Sequence, residues 1–353
     1  MMWRSLRAIL APLFVAVVLL GAVAPANAST SRPTTFALQS TPGRFAHLSS
    51  QGQDVCAQNV PAGVAHCDSV LGVAPAVLPN QVSVSTPAVS TLGDDGAYSP
   101  SYLQSAYDVA SASRTNAGGA GQIVAIVDAY GDPTIVSDLA YYRSFFKLSP
   151  CPVGVVGAAN PSCALQVANE SGAASPLPPP NTSWGLEESI DADMVSAICP
   201  KCQILLIETS SAAISDLGAG VNTAVGLGAT VVSNSYGSTE YPSEVADTNA
   251  YFDHPGVAIV AASGDAGYGV QFPAASPDVV AVGGTSLVQR GDAGVRDGTS
   301  TVWSDTGAGC SAYEPKPSWQ VDTGCANRSD NDVAAVADPT TGVWVYDTTG
   351  FSG

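Results

Sequence analysis

The chain has 353 residues, 46% of them hydrophobic and 12% charged, which is enough apolar material for a full-sized core. Thirty acidic residues against twelve basic ones leave a formal net charge of −18 and a pI near 4.2. That balance excludes nucleic acid and anionic membrane as partners, because their phosphates would be repelled.

The first stretch, MMWRSLRAILAPLFVAVVLLGAVAPANAS, carries Arg4 and Arg7, then an apolar run, then small residues ending Ala-Asn-Ala at 26–28. This pattern predicts a secretory signal peptide over 1–28 and a mature chain outside the cell. With the leader cleaved, no membrane partner is expected. Eight cysteines agree with export to an oxidising compartment. They fall in neighbouring couples, Cys56 with Cys67, Cys151 with Cys163, Cys199 with Cys202 and Cys310 with Cys325, and pairing within each couple is the expected connectivity. Cys199 and Cys202 form a Cys-Pro-Lys-Cys, but zinc would need two further ligands and no matching pair stands nearby.

Residues 29–97 are rich in Ser, Pro, Ala and Gln with weak periodicity, and read as a short propeptide or linker. From Tyr98 apolar strands alternate with helical patterns: a strand at 122–128, a helix at 134–148, strands at 203–208, 230–235, 257–263 and 278–284, and helices across 212–227 and near 243–253. Strands apolar throughout and separated by helices imply one α/β domain over 98–353, a parallel sheet with helices on both faces. Gly118, Gly119 and Gly121 precede the strand at 122. A phosphate loop must follow a strand, so a dinucleotide site is not expected.

SWGLEESIDADM, residues 183–194, concentrates four carboxylates in a chain poor in charge. It predicts a helix with Ser183 as N-cap and acids in its first turns, where the macrodipole favours them. Leu186, Ile190, Met194 and Ala197 form an apolar stripe, while Glu187 and Asp191 stand one turn apart on an adjoining face and could share a proton. Glu188 and Asp193 are expected on the solvated side. Asp128 ends the first strand; extending the carboxylate chain is one reading of it, and a structural or surface role is the expected one. Beyond residue 98 the only histidine is His254, just before a strand, where a helix C-terminus would favour it; a Ser-His-Asp triad therefore lacks its base.

These motifs, in this order, resemble the sedolisins, the serine-carboxyl peptidases of subtilisin-like fold in which glutamate replaces the histidine. GLEESIDADM resembles the family's Glu-x-x-x-Asp helix, VVSNSYG (231–237) its substrate-binding strand and AASGDAG (261–267) its oxyanion segment. FPAASPDVVAVGGTSL (272–287) is similar to the stretch that follows. The resemblance implies Glu187 as general base, Asp191 as its partner, Asp265 as an oxyanion-hole donor and Ser235, Tyr236 and Gly237 as substrate-binding residues. It also implies a secreted, monomeric endopeptidase acting on proteins or peptides at acid pH. Acidity suits the chemistry: an ordinary glutamate with a pKa of about 4.3 is a base near pH 4, and Asp265 must be protonated to donate a hydrogen bond. The family's nucleophile motif, Gly-Thr-Ser-x-x-x-Pro, does not occur through Gly353. Ser286 and Ser300 follow Gly-Thr but lack the proline and are not assigned. The expected fold is thus a subtilisin-like α/β sheet without the nucleophile helix. No cofactor is expected in this chain, since the family's calcium site would lie beyond Gly353. A catalytically dead truncated product and a secreted peptide-binding module are the alternatives.

Overall fold

A computed structural model describes residues 52–71, 98–114, 118–288 and 299–349. The expected leader over 1–28 lies outside the described residues. The described residues open with three two-residue strands, β1 (Gln53–Asp54), β2 (His66–Cys67) and β3 (Val70–Leu71), followed by helices α1 (Pro100–Ala106) and α2 (Ala110–Arg114). The alternating part then runs β4 (Ile123–Ala129), α3 (Ile135–Phe145), β5 (Leu165–Asn169), α4 (Thr182–Ile198), β6 (Gln203–Thr209), α5 (Ile214–Gly226), β7 (Val231–Asn234) and β8 (Tyr236–Thr239). Next come the short α6 (Glu244–Asp247), continued by a π-helical turn over Thr248–Phe252, then β9 (Ala258–Ala262), β10 (Gln271–Phe272), β11 (Val280–Val288), β12 (Thr299–Val302) and β13 (Val333–Val336). The strands and helices predicted from periodicity are present. β5, whose Leu-Gln-Val-Ala-Asn sequence is short and mixed, was not legible.

The main sheet has the order β12-β11-β9-β7-β4-β6-β5, with β13 also beside β11; every pairing is parallel except β11 with β12. β4 lies in the middle because Ile-Val-Ala-Ile-Val is apolar on both faces, so it can be covered from both sides. Its even-numbered side chains, Val124 and Ile126, pack with Ile204, Leu206, Ile135 of α3 and Val195 of α4. Its odd-numbered Ala125 and Val127 belong to a larger cluster with Leu205, Ile207 and Leu217 and Val221 of α5. Adjacent side chains of a strand point to opposite faces, so α3 and α4 cover one face and α5 the other.

From β4 the winding proceeds to β6 and β5 on one side and to β7, β9 and β11 on the other. Such a switch point opens a crevice at the carboxyl ends of the central strands. Asp128 of β4 and Glu208 of β6 are register partners there. A small antiparallel sheet, β10-β8-β2, stands beside this crevice. All four neighbouring cysteine couples are disulfides. Among the described residues no helix is long and apolar enough to cross a membrane.

Candidate active site

α4 is not an amphipathic surface helix. Every residue from Trp184 to Ala197 is buried, because the sheet, α1, α3 and the segment 343–349 enclose it. Three expectations for this helix are corrected. Glu188 and Asp193 are at most 1% exposed, not solvated. The cap is Asn181, whose Oδ1 accepts from the amides of Ser183 (3.0 Å) and Trp184 (3.2 Å), rather than Ser183. No acid stands in the first turn, so the macrodipole does not account for the carboxylates. Asp193 instead accepts the Tyr346 amide at 2.9 Å, anchoring the C-terminal segment to the helix.

The remaining acids form one buried cluster. Glu187, Glu188 and Asp191 of α4 and Asp128 of β4 are all fully buried. Asp128 is therefore part of the group rather than at the surface. Desolvation, followed by the charges of Asp191 and Asp128, holds the Glu187 carboxyl well above the usual range. Burial and then the charges of Asp191 and Glu208 do the same to Asp128. Asp191 is pushed up by burial to about 7, with the Ser235 hydroxyl opposing that rise. The hydroxyl reaches both carboxylate oxygens, at 2.8 and 2.9 Å. Glu188 has no hydrogen-bond partner on either oxygen, and burial beside Glu208 and Asp128 raises it well above normal. Glu208, which accepts the Asp132 amide at 3.2 Å, is raised by burial to about 7. So many mutually close carboxyls cannot all ionise, and the cluster stores protons.

β7, Ser235 and β8 carry the polar wall of the crevice. Asn234 donates to the Val260 carbonyl at 2.9 Å and accepts the Tyr236 hydroxyl at 2.8 Å, which fixes the tyrosine ring in the core. Gly237 is required by close packing: a Cβ there would lie 1.7 Å from Oε1 of Gln271. The loop after β9 turns at Gly264, whose φ of +104° glycine adopts without strain. This brings in Asp265, whose Oδ2 is buried without a partner. Its carboxyl is raised well above normal by desolvation and then by Asp68, Asp54 and Asp305.

The structure also brings in residues that the sequence reading assigned to a propeptide or linker. β2 pairs antiparallel with β8, matching His66 to Gly237 and Cys67 to Tyr236. The Asp68 amide donates to the Ser235 carbonyl at 3.0 Å. The Ser69 hydroxyl donates to Oε2 of Glu187. His66 Nδ1 lies 3.2 Å from Asp68 Oδ1; burial works to lower its pKa, but the bond and charge of Asp68 outweigh it and raise it. The sequence signal for this pair was the i, i+2 spacing of His66 and Asp68 in a Cys-flanked stretch, which places both on one face of a strand.

Other candidates stand apart. His254 Nε2 contacts Asn222 Oδ1 at 2.8 Å and the Tyr251 carbonyl at 3.0 Å, at the end of the π-helical turn. Ser286 donates to Asp338, and Ser300 is exposed on β12. Among the described residues no set of three or more His, Cys, Asp or Glu is arranged to hold a metal ion.

A parallel sheet with this switch point, a buried carboxylate pair on the covering helix and an adjoining β-edge define a subtilisin-like α/β scaffold. The family described as "Subtilase family" matches residues 167–334. Kumamolisin from Bacillus sp. (strain MN-32) is 34% identical over 290 residues, 71% of this chain and 49% of that protein. Sedolisin from Pseudomonas sp. (strain 101) is 46% identical over 63 residues, 15% of this chain and 10% of that protein. The solved structure of Pseudomonas sedolisin (serine-carboxyl proteinase) complexed with two molecules of pseudo-iodotyrostatin superposes with a TM-score of 0.58 at 24% identity, over 72% of this chain and 74% of that one. The chain belongs to the sedolisin family. It spans about half the length of kumamolisin, and the stretch matched in sequence to sedolisin is a tenth of that protein.

Proposed function

We propose that this chain supplies the acid–base and oxyanion groups of a secreted endopeptidase that cuts protein or peptide chains at acid pH. The observation that carries this reading is the Glu187–Asp191 pair, one turn apart on a buried helix, with Asp191 bonded to Ser235 at the start of β8, a strand of the kind to which an extended peptide pairs by main-chain hydrogen bonds as β2 does. In this reading Glu187, when ionised, takes the proton of an attacking hydroxyl and returns it to the leaving amine. Asp191, held by Ser235, shares the proton burden of Glu187. Asp265, whose half-buried carboxyl is raised well above normal by desolvation and by neighbouring acids, donates to the oxyanion in its protonated form. Ser235, Tyr236 and Gly237 align the substrate backbone. The predicted leader and the four disulfides support export, and 98–353 is the catalytic domain. Residues 1–353 contain no Gly-Thr-Ser-x-x-x-Pro, and neither Ser286 nor Ser300 is assigned as nucleophile.

The test is hydrolysis of a denatured protein between pH 3 and 7 by the product of the reading frame including any codons after Gly353. Glu187→Gln should lower turnover by about 100-fold or more. Full activity in that variant would overturn the assignment. A peptide-binding module is the second reading, supported by the strand already paired with β8. It requires peptide affinity with no turnover at any pH.

A further inference from the structure

A second group of carboxyls stands at the far end of β8 and shares no residue with the Glu187 cluster. Glu240 follows that strand, Glu244 opens α6, and Glu314 lies in the loop closed by the Cys310–Cys325 disulfide. Glu244 and Glu314 are fully buried, and each keeps one carboxyl oxygen without a partner, Oε1 of Glu244 and Oε2 of Glu314. Among the described residues no Lys, Arg or His pairs with any of the three: His66 pairs with Asp68, Lys316 with Asp322 and Arg328 with Asp332. The acids join the loop to the body. Glu240 accepts the Ser311 hydroxyl and, at 3.1 Å, the Ala312 amide. From the loop, Glu314 accepts the Thr248 hydroxyl of the π-helical turn at 2.6 Å. Glu244 accepts the Tyr241 amide at 2.7 Å through its other oxygen and adjoins both Glu240 and Glu314. Asp278 also faces Glu314, whereas Asp247 of α6 is engaged by the Tyr241 hydroxyl at 2.8 Å. The other leg of the loop is held by a cation instead: buried Arg328 donates to Asp332 at 2.5 Å and to the Val279 carbonyl at 3.4 Å.

Three adjoining carboxyls with no cation among them cannot all carry charge in place. A protonated one instead offers an O–H to its neighbour, so the joint is complete only while protons are bound. We propose that Glu240, Glu244 and Glu314 are a proton-operated latch, which docks the leg of the disulfide loop starting at Ser311 against the end of β8 in acid and releases it towards neutral pH, while Arg328 retains the other leg. Burial, with Glu240 and Glu314 beside it, raises Glu244 to about 9 against the pull of the Tyr241 amide. Burial also raises Glu314, helped by Asp278 and Glu240 and opposed by the Thr248 hydroxyl. Both acids thus hold protons more tightly docked than free, where a glutamate titrates at about 4.3. Docking is fully supported below that value and is lost as pH climbs through the raised ones, by up to about tenfold per pH unit for each group. Tyr313 and Trp319 are exposed on this loop, so the latch decides whether that aromatic surface is fixed at the end of β8.

The test is hydrogen exchange of the purified chain, corrected for the intrinsic effect of pH on exchange, at about pH 4.5 and about pH 8. The amides of 311–314, each of which donates in the docked loop, should lose protection by at least about tenfold at the higher pH, while β4, β6 and Asp332 keep theirs. Glu314→Gln holds the shape of the neutral acid and removes its titration. It should keep 311–314 protected at the higher pH, with less than about threefold change across the range. Protection at 311–314 that does not change with pH in the parent would overturn the latch. Loss that coincides with loss in β4 and β6 would overturn it too, since the loop would then melt with the whole domain. A pH dependence as steep in Glu314→Gln as in the parent would likewise show that these carboxyls do not operate the loop. Should Glu314→Gln leave β4 and β6 unprotected even in acid, Glu244→Gln decides by the same criterion.

Discussion

The Ser235 hydroxyl lies 2.8 Å from one oxygen of Asp191 and 2.9 Å from the other, so it donates to whichever oxygen carries the charge. It is the one contact that opposes the rise that burial imposes on this carboxyl. Ser235→Ala should remove about 1.5 to 3 kcal/mol of preference for the ionised form and move the Asp191 midpoint further above about 7. Carbon-13 NMR titration of the aspartate carboxyls reads this directly, and an unmoved midpoint would show that the hydroxyl serves only to pack.

Stability should fall as pH rises. Glu187, Glu188, Asp128, Asp193 and Asp265 all have folded-state pKa values raised well above normal, and Asp191 and Glu208 are raised to about 7. The folded state thus binds more protons than the unfolded one above about pH 4, where unfolded carboxyls begin to ionise. The stabilisation is fully present below the unfolded values and is lost as pH climbs through the folded ones. Each group contributes at most about 1.4 kcal/mol per pH unit. Thermal midpoints measured from pH 4 to pH 7 should decline, and a rise across that window would contradict the buried-cluster picture.

Glu188 tests the same point at one residue. It is fully buried, neither oxygen has a hydrogen-bond partner, and the catalytic reading gives it no role. Glu188→Gln keeps the shape and removes the titration. It should leave stability at pH 4 within about 0.5 kcal/mol and raise it at pH 7 by about 1 to 3 kcal/mol. Urea unfolding at the two pH values measures the difference, and equal effects at both would mean that Glu188 does not titrate in this range.

The helix that carries the site depends on Asn181 for its start. Asn181→Ala should cost about 1 kcal/mol, while Asn181→Ser should restore most of it because serine also caps. Ser183→Ala, inside the first turn, should cost under about 0.5 kcal/mol. The reverse ranking by denaturant midpoint would restore Ser183 as the cap.

The parallel sheet, the covering helices and the cysteine couples were legible in the linear sequence, because each is governed by local periodicity or short separation. Continuous apolar strands such as Ile-Val-Ala-Ile-Val need cover on both faces wherever they lie. The spacing of Glu187 and Asp191 is likewise a property of any helix, so their shared face could be read without a fold. What surrounds that helix could not. Glu188 and Asp193 looked solvated because charge usually faces water; only the packing of α4 between the sheet, α1, α3 and the segment 343–349 makes them internal. Asp128 joined the carboxylates because β4 is central and ends beside α4. The pairing of His66 and Cys67 with Gly237 and Tyr236 spans some 170 residues of chain. No local pattern encodes a contact at that separation, since it exists only when β8 offers a free edge for the 52–71 loop to fill.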